Sequence, residues 1–173
     1  MSDTETSYKE NYVESLRQEL VGIVEEKLSP LAEKYSYSKT RLEAGISWKP
    51  VVLVLGNYSS GKSTLINELI GADIQKTGQA PTDDSFTVIT QAPAEQQDMV
   101  IDRDGMVLLN DPTYPFESFK KHGKRFASHF RLKSVKSDFL ANLAIIDTPG
   151  MLDSVSEKDR GYDYQEVIGE MAK

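Results

Sequence analysis

The run Gly56-Asn57-Tyr58-Ser59-Ser60-Gly61-Lys62-Ser63 leaves the chain few folds, because its flanks dictate a strand, a tight turn and a helix in that order. Before it, Val51-Val52-Leu53-Val54-Leu55 is a continuous aliphatic run, the pattern of a parallel strand buried on both faces. After it, Thr64 to Ile70 carries apolar residues at 65, 66, 69 and 70, the spacing of a helix with one buried face. In that context a glycine-rich loop is a phosphate cradle. Gly56 and Gly61 let the backbone bend until successive N–H groups converge, and the helix N-terminus adds partial positive charge. Lys62 then reaches the β- and γ-phosphates of a nucleoside triphosphate, and the Ser63 hydroxyl is placed to ligate Mg²⁺. The candidate phosphate-binding segment therefore runs through Gly56, Asn57, Tyr58, Ser59, Ser60, Gly61, Lys62, Ser63 and Thr64.

A second apolar strand, Leu143-Ala144-Ile145-Ile146, delivers Asp147 to its carboxyl end, where open α/β sheets bind ligands. Asp147 is positioned to hold a water of Mg²⁺, and in Asp147-Thr148-Pro149-Gly150 the Gly150 amide can approach a γ-phosphate without strain. Between the two motifs, Gly78 to Phe86 is polar, interrupted by Gly and Pro, and leads into the strand-like Phe86-Thr87-Val88-Ile89-Thr90. Sites of this kind use a mobile loop whose Thr hydroxyl completes the Mg²⁺ shell. Thr82 is the candidate for that role; the alternative is a plain helix-to-strand loop without ligand contact.

A chain of 173 residues suits one α/β domain. It has no cysteine, which excludes disulfides and thiolate metal sites. No apolar stretch is long enough to span a bilayer and the first residues are polar, so a cytoplasmic protein is expected. The net charge of −7 argues against nucleic acid as a partner. Charge is uneven, however: Lys120, Lys121, Lys124, Arg125, Arg131, Lys133 and Lys136 follow one another without an acidic residue among them. Phe116, Phe119, Phe126 and Phe130 run through the same stretch behind Pro115. This reads as an amphipathic helix with aromatics in the core and lysines in water, or as a cationic face for an acidic partner or anionic membrane. His122 and His129 lie there too, without the neighbours a metal site needs.

Tyr8, Tyr12, Val13, Leu16, Leu20, Ile23, Val24 and Leu28 form a helical stripe at the N-terminus, interrupted at Ser29-Pro30. Such a helix either covers the nucleotide domain or belongs to a helical assembly domain. The expected division is residues 1–48 for that helical segment and 49–173 for the nucleotide domain. Trp48 reads as a packing residue. Runs 99–102 and 106–109 flank Arg103-Asp104-Gly105, where Asp-Gly signals a hairpin turn. A hairpin beside parallel strands makes the expected fold an α/β P-loop domain with a mixed, mostly parallel sheet.

Taken together, Gly56 to Lys62 with Tyr58-Ser59, Pro81-Thr82-Asp83-Asp84-Ser85-Phe86, Ile146 to Gly150 and Arg160-Gly161-Tyr162-Asp163-Tyr164 resemble the nucleotide domain of EH-domain-containing ATPases in the dynamin superfamily. Lys27-Leu28-Ser29-Pro30-Leu31 and the stretch from Asp111-Pro112 to Pro115-Phe116 are similar as well. The resemblance implies a mechanochemical NTPase that oligomerises with nucleotide and remodels membrane, peripherally attached through lipid-binding segments outside this chain. It implies phosphate and Mg²⁺ binding by Lys62 and Ser63, a first switch at Thr82 and a second from Asp147 and Gly150, with Arg160 to Tyr164 in that second switch or at its edge. Ser59 matches a position used near the attacking water or a charge-compensating cation.

Two departures bear on the chemistry. Tyr58 stands where dynamins proper have Gln, and a phenol orients water less well than an amide, so slow hydrolysis is expected. Asp83 replaces a Thr usual in the group's first switch. The chain ends before any Asn-Lys-x-Asp motif, which leaves GTP against ATP open and implies a nucleotide domain incomplete on its C-terminal side. Two other functions share these motifs: an assembly or RNA-associated GTPase, and a non-catalytic scaffold in which nucleotide binding alone drives assembly.

Overall fold

The structure, a computed structural model, describes residues 3–37, 42–75, 84–93, 100–151 and 160–172. They divide into two compact units, one made of the residues up to Trp48 with Pro112–Ser118, the other of Lys49–Asp111 with the residues from Phe119 onward.

In the first unit, α1 (Asp3–Ile23) runs into a π-helical turn, Val24–Leu28, then α2 (Ser29–Lys34); α3 (Leu42–Ser47) follows. Ser29-Pro30 does not interrupt the helix as expected. Pro30 falls in the first turn of α2, where its missing N–H is not needed, and the Ser29 N–H bonds the Val24 carbonyl five residues back. The expected apolar stripe is there, but among its members with described side chains only Val24 is buried, and Tyr12, Leu16, Leu20, Ile23 and Leu28 stay exposed. Trp48 packs edge-on against Tyr114 and Phe116, with ring centroids 6.0 and 5.0 Å away. No helix among the described residues is long and apolar enough to cross a membrane.

The second unit is built on a five-stranded sheet in the order β1-β5-β2-β4-β3, from β1 (Val51–Val54), β2 (Phe86–Gln91), β3 (Ile101–Asp104), β4 (Phe130–Val135) and β5 (Ala144–Asp147). It is mixed, as expected, though not mostly parallel: β1 pairs β5 and β2 pairs β4 in parallel, while β2 with β5 and β3 with β4 run antiparallel. One face is covered by α4 (Lys62–Ile70), which sets Ile66 and Ile70 against Ile89, Val135, Leu140 and Ile145. Successive strand residues point to opposite faces, so Phe86 and Phe130, paired in register, join a different cluster. There Phe126 lies 5.2 Å from Phe130 and 5.7 Å from Phe86, ring centroid to ring centroid. Each fully buried Phe side chain contributes roughly 2–3 kcal/mol of transfer free energy.

Four expectations are corrected here. First, among the described residues β1 is an edge strand and is not buried on both faces: Val51 and Val52 are 37% and 48% exposed. A continuous aliphatic run says a strand is apolar, not which neighbours flank it. Second, only half of the expected apolar face of α4 is buried: Ile66 and Ile70 are inside, whereas Leu65 and Leu69 are 53% and 44% exposed.

Third, residues 100–109 form no hairpin. Ile101–Asp104 is a strand, but Gly105–Leu108 is a short helix, α5, and β3 pairs with β4 instead. A tight hairpin turn needs positive φ at its central residues. Asp104 instead has φ −64° and caps α5, its carboxylate accepting from the Met106 N–H at 2.7 Å. A Cβ on Gly105 would overlap the carbonyl oxygens of Ala127 and Phe130, so the glycine serves a close approach. Fourth, the aromatic and basic stretch is not one helix. A 3-10 helix (Glu117–His122) meets α6 (Gly123–Ser128) at Gly123, whose φ is +82°, and Phe130 already begins β4.

The aromatics are nonetheless buried as expected. Several of the cations are engaged within the protein: Lys121 with Glu170 and Glu166, Arg125 with the Arg160 carbonyl, Arg131 with Ser85, and Lys133 with Gln75. His122 meets Glu170 at 3.0 Å. That use of the charges favours the structural reading of the stretch over a cationic docking face.

The edge has a measurable consequence. An apolar edge strand is a template for pairing with another chain, so Val52→Lys should reduce concentration-dependent aggregation in light scattering, with a melting temperature close to that of the parent. Unchanged aggregation would show that this edge is not the sticky surface.

Candidate nucleotide site

The end of β1 and the end of β5 lie side by side, Val54 opposite Asp147, so the loop after each strand opens at the same place. Thr148 locks the two together by donating from Oγ1 to the Val54 carbonyl at 2.8 Å. From Leu55 the chain turns through Asn57 to Gly61 into α4. The turn is closed by the Ser60 N–H to the Asn57 carbonyl, 3.3 Å, and by two residues with left-handed backbone, Ser59 at φ +56° and Gly61 at φ +87°. For a serine that conformation costs about 1–2 kcal/mol, a cost commonly found where backbone amides are shaped around a ligand. Gly61 stands immediately before the first residue of α4, so the helix opens at the loop as expected.

Lys62 folds back over the loop, its Nζ donating to the Gly56 and Asn57 carbonyls at 3.0 and 2.9 Å. Of the three donors on an ammonium, two are thereby used and one is available to a phosphate oxygen. Burial pushes the Lys62 pKa below its ordinary value of 10.5, partly opposed by the negative charge of Asp147. One residue on, Ser63 Oγ donates to Asp147 Oδ2 at 3.2 Å. Asp147 and Thr148 are almost fully buried. Asn57, Tyr58, Ser59, Ser60 and Thr64 are exposed, and Gly56 is partly so.

The second motif docks directly on the first. The Met151 N–H donates to the Gly56 carbonyl at 3.3 Å, and Asn57 and Met151 form a parallel bridge. Gly150 lies against Tyr58 so closely that a Cβ on it would stand 2.7 Å from the Tyr58 Cα. Arg160, 3% exposed, ties this segment down. It donates to the Gly150 carbonyl at 2.6 Å, meets Asp84 at 3.3 Å and lies 4.8 Å over the Tyr164 ring. Tyr164 in turn, in the first turn of α7 (Tyr164–Met171), donates from its hydroxyl to the Pro149 carbonyl at 3.1 Å.

The structure thus brings Gly56 through Thr64, Asp147 and Gly150 to one place. Thr82, with Asp83 beside it, lies outside the described residues. Its flanks do not: Gln75 bonds Asp147 at 2.7 Å, and Asp84 pairs with Arg160. Sequence reasoning assigned no role to Gln75 or Asn67, and it placed Lys133 among cations in water or on a docking face, whereas Lys133 is buried against Gln75. The available signals were a lone polar residue on the buried face of an apolar helix and a charge in the middle of a strand, both of which require a buried partner.

As to a metal, the donor set fits Mg²⁺: a serine hydroxyl and a carboxylate oxygen, both hard donors, at the mouth of a phosphate cradle. Mg²⁺ typically takes one or two such protein ligands and completes its shell with phosphates and water. Among the described residues no cluster of three or more His, Asp or Glu competes for it.

A parallel strand, a phosphate loop with its lysine, a helix opening on that loop, and a buried aspartate at the end of the adjacent strand define a P-loop nucleotide-binding domain. Residues 52–173 match the model of the dynamin family, and the chain belongs to that family. It is 35% identical over 162 residues to human (Homo sapiens) EH domain-containing protein 1, covering 90% of this chain and 29% of that protein. With human EH domain-containing protein 3 the identity is 33% over 156 residues, covering 86% and 28%. A solved structure of an oligomerised bacterial dynamin pair aligns with 92% of this chain and 29% of that one, at 16% identity and a TM-score of 0.43. The chain thus spans under a third of the length of these relatives.

Proposed function

We propose that this chain binds GTP or ATP with Mg²⁺ and hydrolyses it slowly, and that nucleotide-dependent self-association couples the cycle to remodelling of an anionic membrane. The observation that carries the reading is the gathering of the Lys62 ammonium, the Ser63 hydroxyl and the Asp147 carboxylate at the opening of α4. In this scheme Gly56 to Thr64 cradle the phosphates through backbone N–H groups, and Lys62 stabilises the charge that develops on the γ-phosphoryl as water attacks in line. Ser63 and Asp147 hold the metal, Asp147 through water. Thr82 completes that shell and senses the γ-phosphate, and Gly150 presents its amide to the same group. Ser59, already in a strained conformation, stands near the attacking water or a cation that compensates charge there. Mg²⁺, when bound, would supply positive charge that offsets the charge of the phosphates.

Residues 1–48 act in this reading as part of a helical assembly domain, with the membrane reached through segments outside this chain. The protein is then cytoplasmic and peripherally attached. A second reading, the non-catalytic scaffold, draws on Tyr58: it is 41% exposed within the phosphate loop, and a phenol is poorly suited to activating water.

Titration of fluorescent GTP and ATP analogues with and without Mg²⁺ tests the binding half, with affinity for one base expected to exceed the other. Turnover at rising protein concentration, with and without anionic liposomes, tests the rest. Steep stimulation by both is expected; binding without stimulated turnover selects the scaffold, and no binding of either nucleotide ends the proposal.

A further inference from the structure

The carboxylate of Asp147 is held from behind by a line of buried polar side chains. Its Oδ2 accepts from Ser63 Oγ at 3.2 Å and from Gln75 Nε2 at 2.7 Å. Gln75 Oε1 in turn accepts from Lys133 Nζ at 2.7 Å, and Lys133 also donates to the Ile74 carbonyl at 2.9 Å. The backbone that carries Gln75 is clamped by Asn67, whose Oδ1 accepts from the Ile74 and Gln75 N–H groups at 3.0 and 2.9 Å. The Asn67 Nδ2 donates to the Gln75 carbonyl at 2.8 Å, closing the clamp. Asn67, Gln75, Lys133 and Asp147 are all less than a tenth exposed.

The chemistry of these groups gives the line a direction. A primary amide has a donor end and an acceptor end and can be turned over, whereas an ammonium can only donate. With Lys133 on one side, the oxygen end of Gln75 must face the ammonium, and the NH₂ end must therefore face Asp147. Without Lys133 the Gln75 oxygen loses the donor that anchors it, and the amide is free to swing away from the carboxylate. Lys133 lies in the middle of β4 and meets Gln75, which in turn meets Asp147. A lysine in a buried strand position is expensive to keep, and a solvated surface charge would not need the chain of partners seen here.

We propose that Gln75 and Lys133 are positioning residues for metal binding: Lys133 orients the Gln75 amide, and the amide fixes Asp147 beside Ser63. The inference rests on the reading that Ser63 and Asp147 hold Mg²⁺, and goes beyond it by assigning two residues that touch neither metal nor nucleotide. Partners of this kind around metal ligands typically alter metal affinity 10–100-fold when removed.

The test uses this chain with Gln75→Met, Lys133→Met, the double substitution, and Lys133→Arg, which keeps a cation that can only donate. Three quantities are read: the Mg²⁺ concentration at half-maximal binding of a fluorescent triphosphate, the affinity for the same nucleotide in excess chelator, and the melting temperature. The two Met variants should each raise the Mg²⁺ midpoint about tenfold with little change in chelator. The double variant should be no worse than Gln75→Met, because Lys133 acts through Gln75, and Lys133→Arg should recover most of the loss. Lower melting temperatures with an unchanged Mg²⁺ midpoint overturn the proposal, as do effects that multiply in the double variant. If Lys133→Met does not fold, an unchanged midpoint in Gln75→Met is enough to overturn it. Parent binding that is indifferent to Mg²⁺ removes the metal reading itself and this proposal with it.

Discussion

Lys62→Ala should abolish nucleotide binding at micromolar concentrations while leaving the fold intact. Charge-assisted hydrogen bonds contribute roughly 1.5–3 kcal/mol each, so losing the ammonium from a phosphate site should weaken binding by about 100-fold. The opposite balance holds for stability. Lys62 is partly buried and its pKa is pushed down by that burial, so the charged side chain costs folding free energy at every pH below its lowered pKa. The cost shrinks as pH rises from that value toward 10.5, where the unfolded chain also loses the proton. At neutral pH the alanine variant therefore keeps a melting temperature within about 3 °C of the parent, the loss of stem packing and of the two hydrogen bonds to the Gly56 and Asn57 carbonyls being offset by the removed desolvation. Equilibrium titration of a fluorescent triphosphate, read beside a thermal melt, checks both halves. Affinity within threefold of the parent would mean that phosphate does not sit under Lys62.

That prediction was already legible in the sequence, because the loop's function depends on local order. Strand, glycine-rich turn and helix are consecutive, and each is set by its own residues. Asp147 was legible for the same reason, as the last residue of an apolar run. What the sequence hid depends on partners far away along the chain. Whether Val51 and Val52 are buried is decided by which strands flank β1, and an aliphatic run carries no record of that. The Asp104-Gly105 pair was misread since its glycine answers to the carbonyls of Ala127 and Phe130, more than twenty residues downstream, and not to a local turn. The same holds for Gln75 and Lys133, 58 residues apart and unremarkable singly. Arg160 was noticed only through a resemblance, yet its reach to both Asp84 and Gly150 is a property of the folded chain alone.

Gly150→Ala should be the most damaging single methyl group that can be added to this site. The new Cβ would lie 2.7 Å from the Tyr58 Cα and 2.8 Å from its amide nitrogen, and backbone atoms cannot rotate away as a side-chain tip would. Nor can Gly150 retreat easily. Its carbonyl is held by Arg160 at 2.6 Å, the preceding carbonyl by Tyr164 at 3.1 Å, and the following N–H by Gly56 at 3.3 Å. Overpacking of this kind costs about 1–3 kcal/mol, which in a domain of this size lowers the melting temperature by roughly 3–10 °C. The functional loss should be larger than the loss of stability, because the strain is relieved by pushing the phosphate loop outward, and a displacement of ~1 Å at a reacting centre costs on the order of 100-fold. Gly169→Ala is the matched control: in α7 its Cβ would meet nothing within 4 Å, and replacing a helical glycine should raise stability by about 0.5–1 kcal/mol. Thermal melts and triphosphate affinities of the two variants should therefore move apart, Gly150→Ala falling in both and Gly169→Ala rising slightly in stability with affinity unchanged. If Gly150→Ala instead melts and binds like the parent, Tyr58 and Gly150 are not in the contact described, and the two halves of the site are held together by something other than backbone packed on backbone.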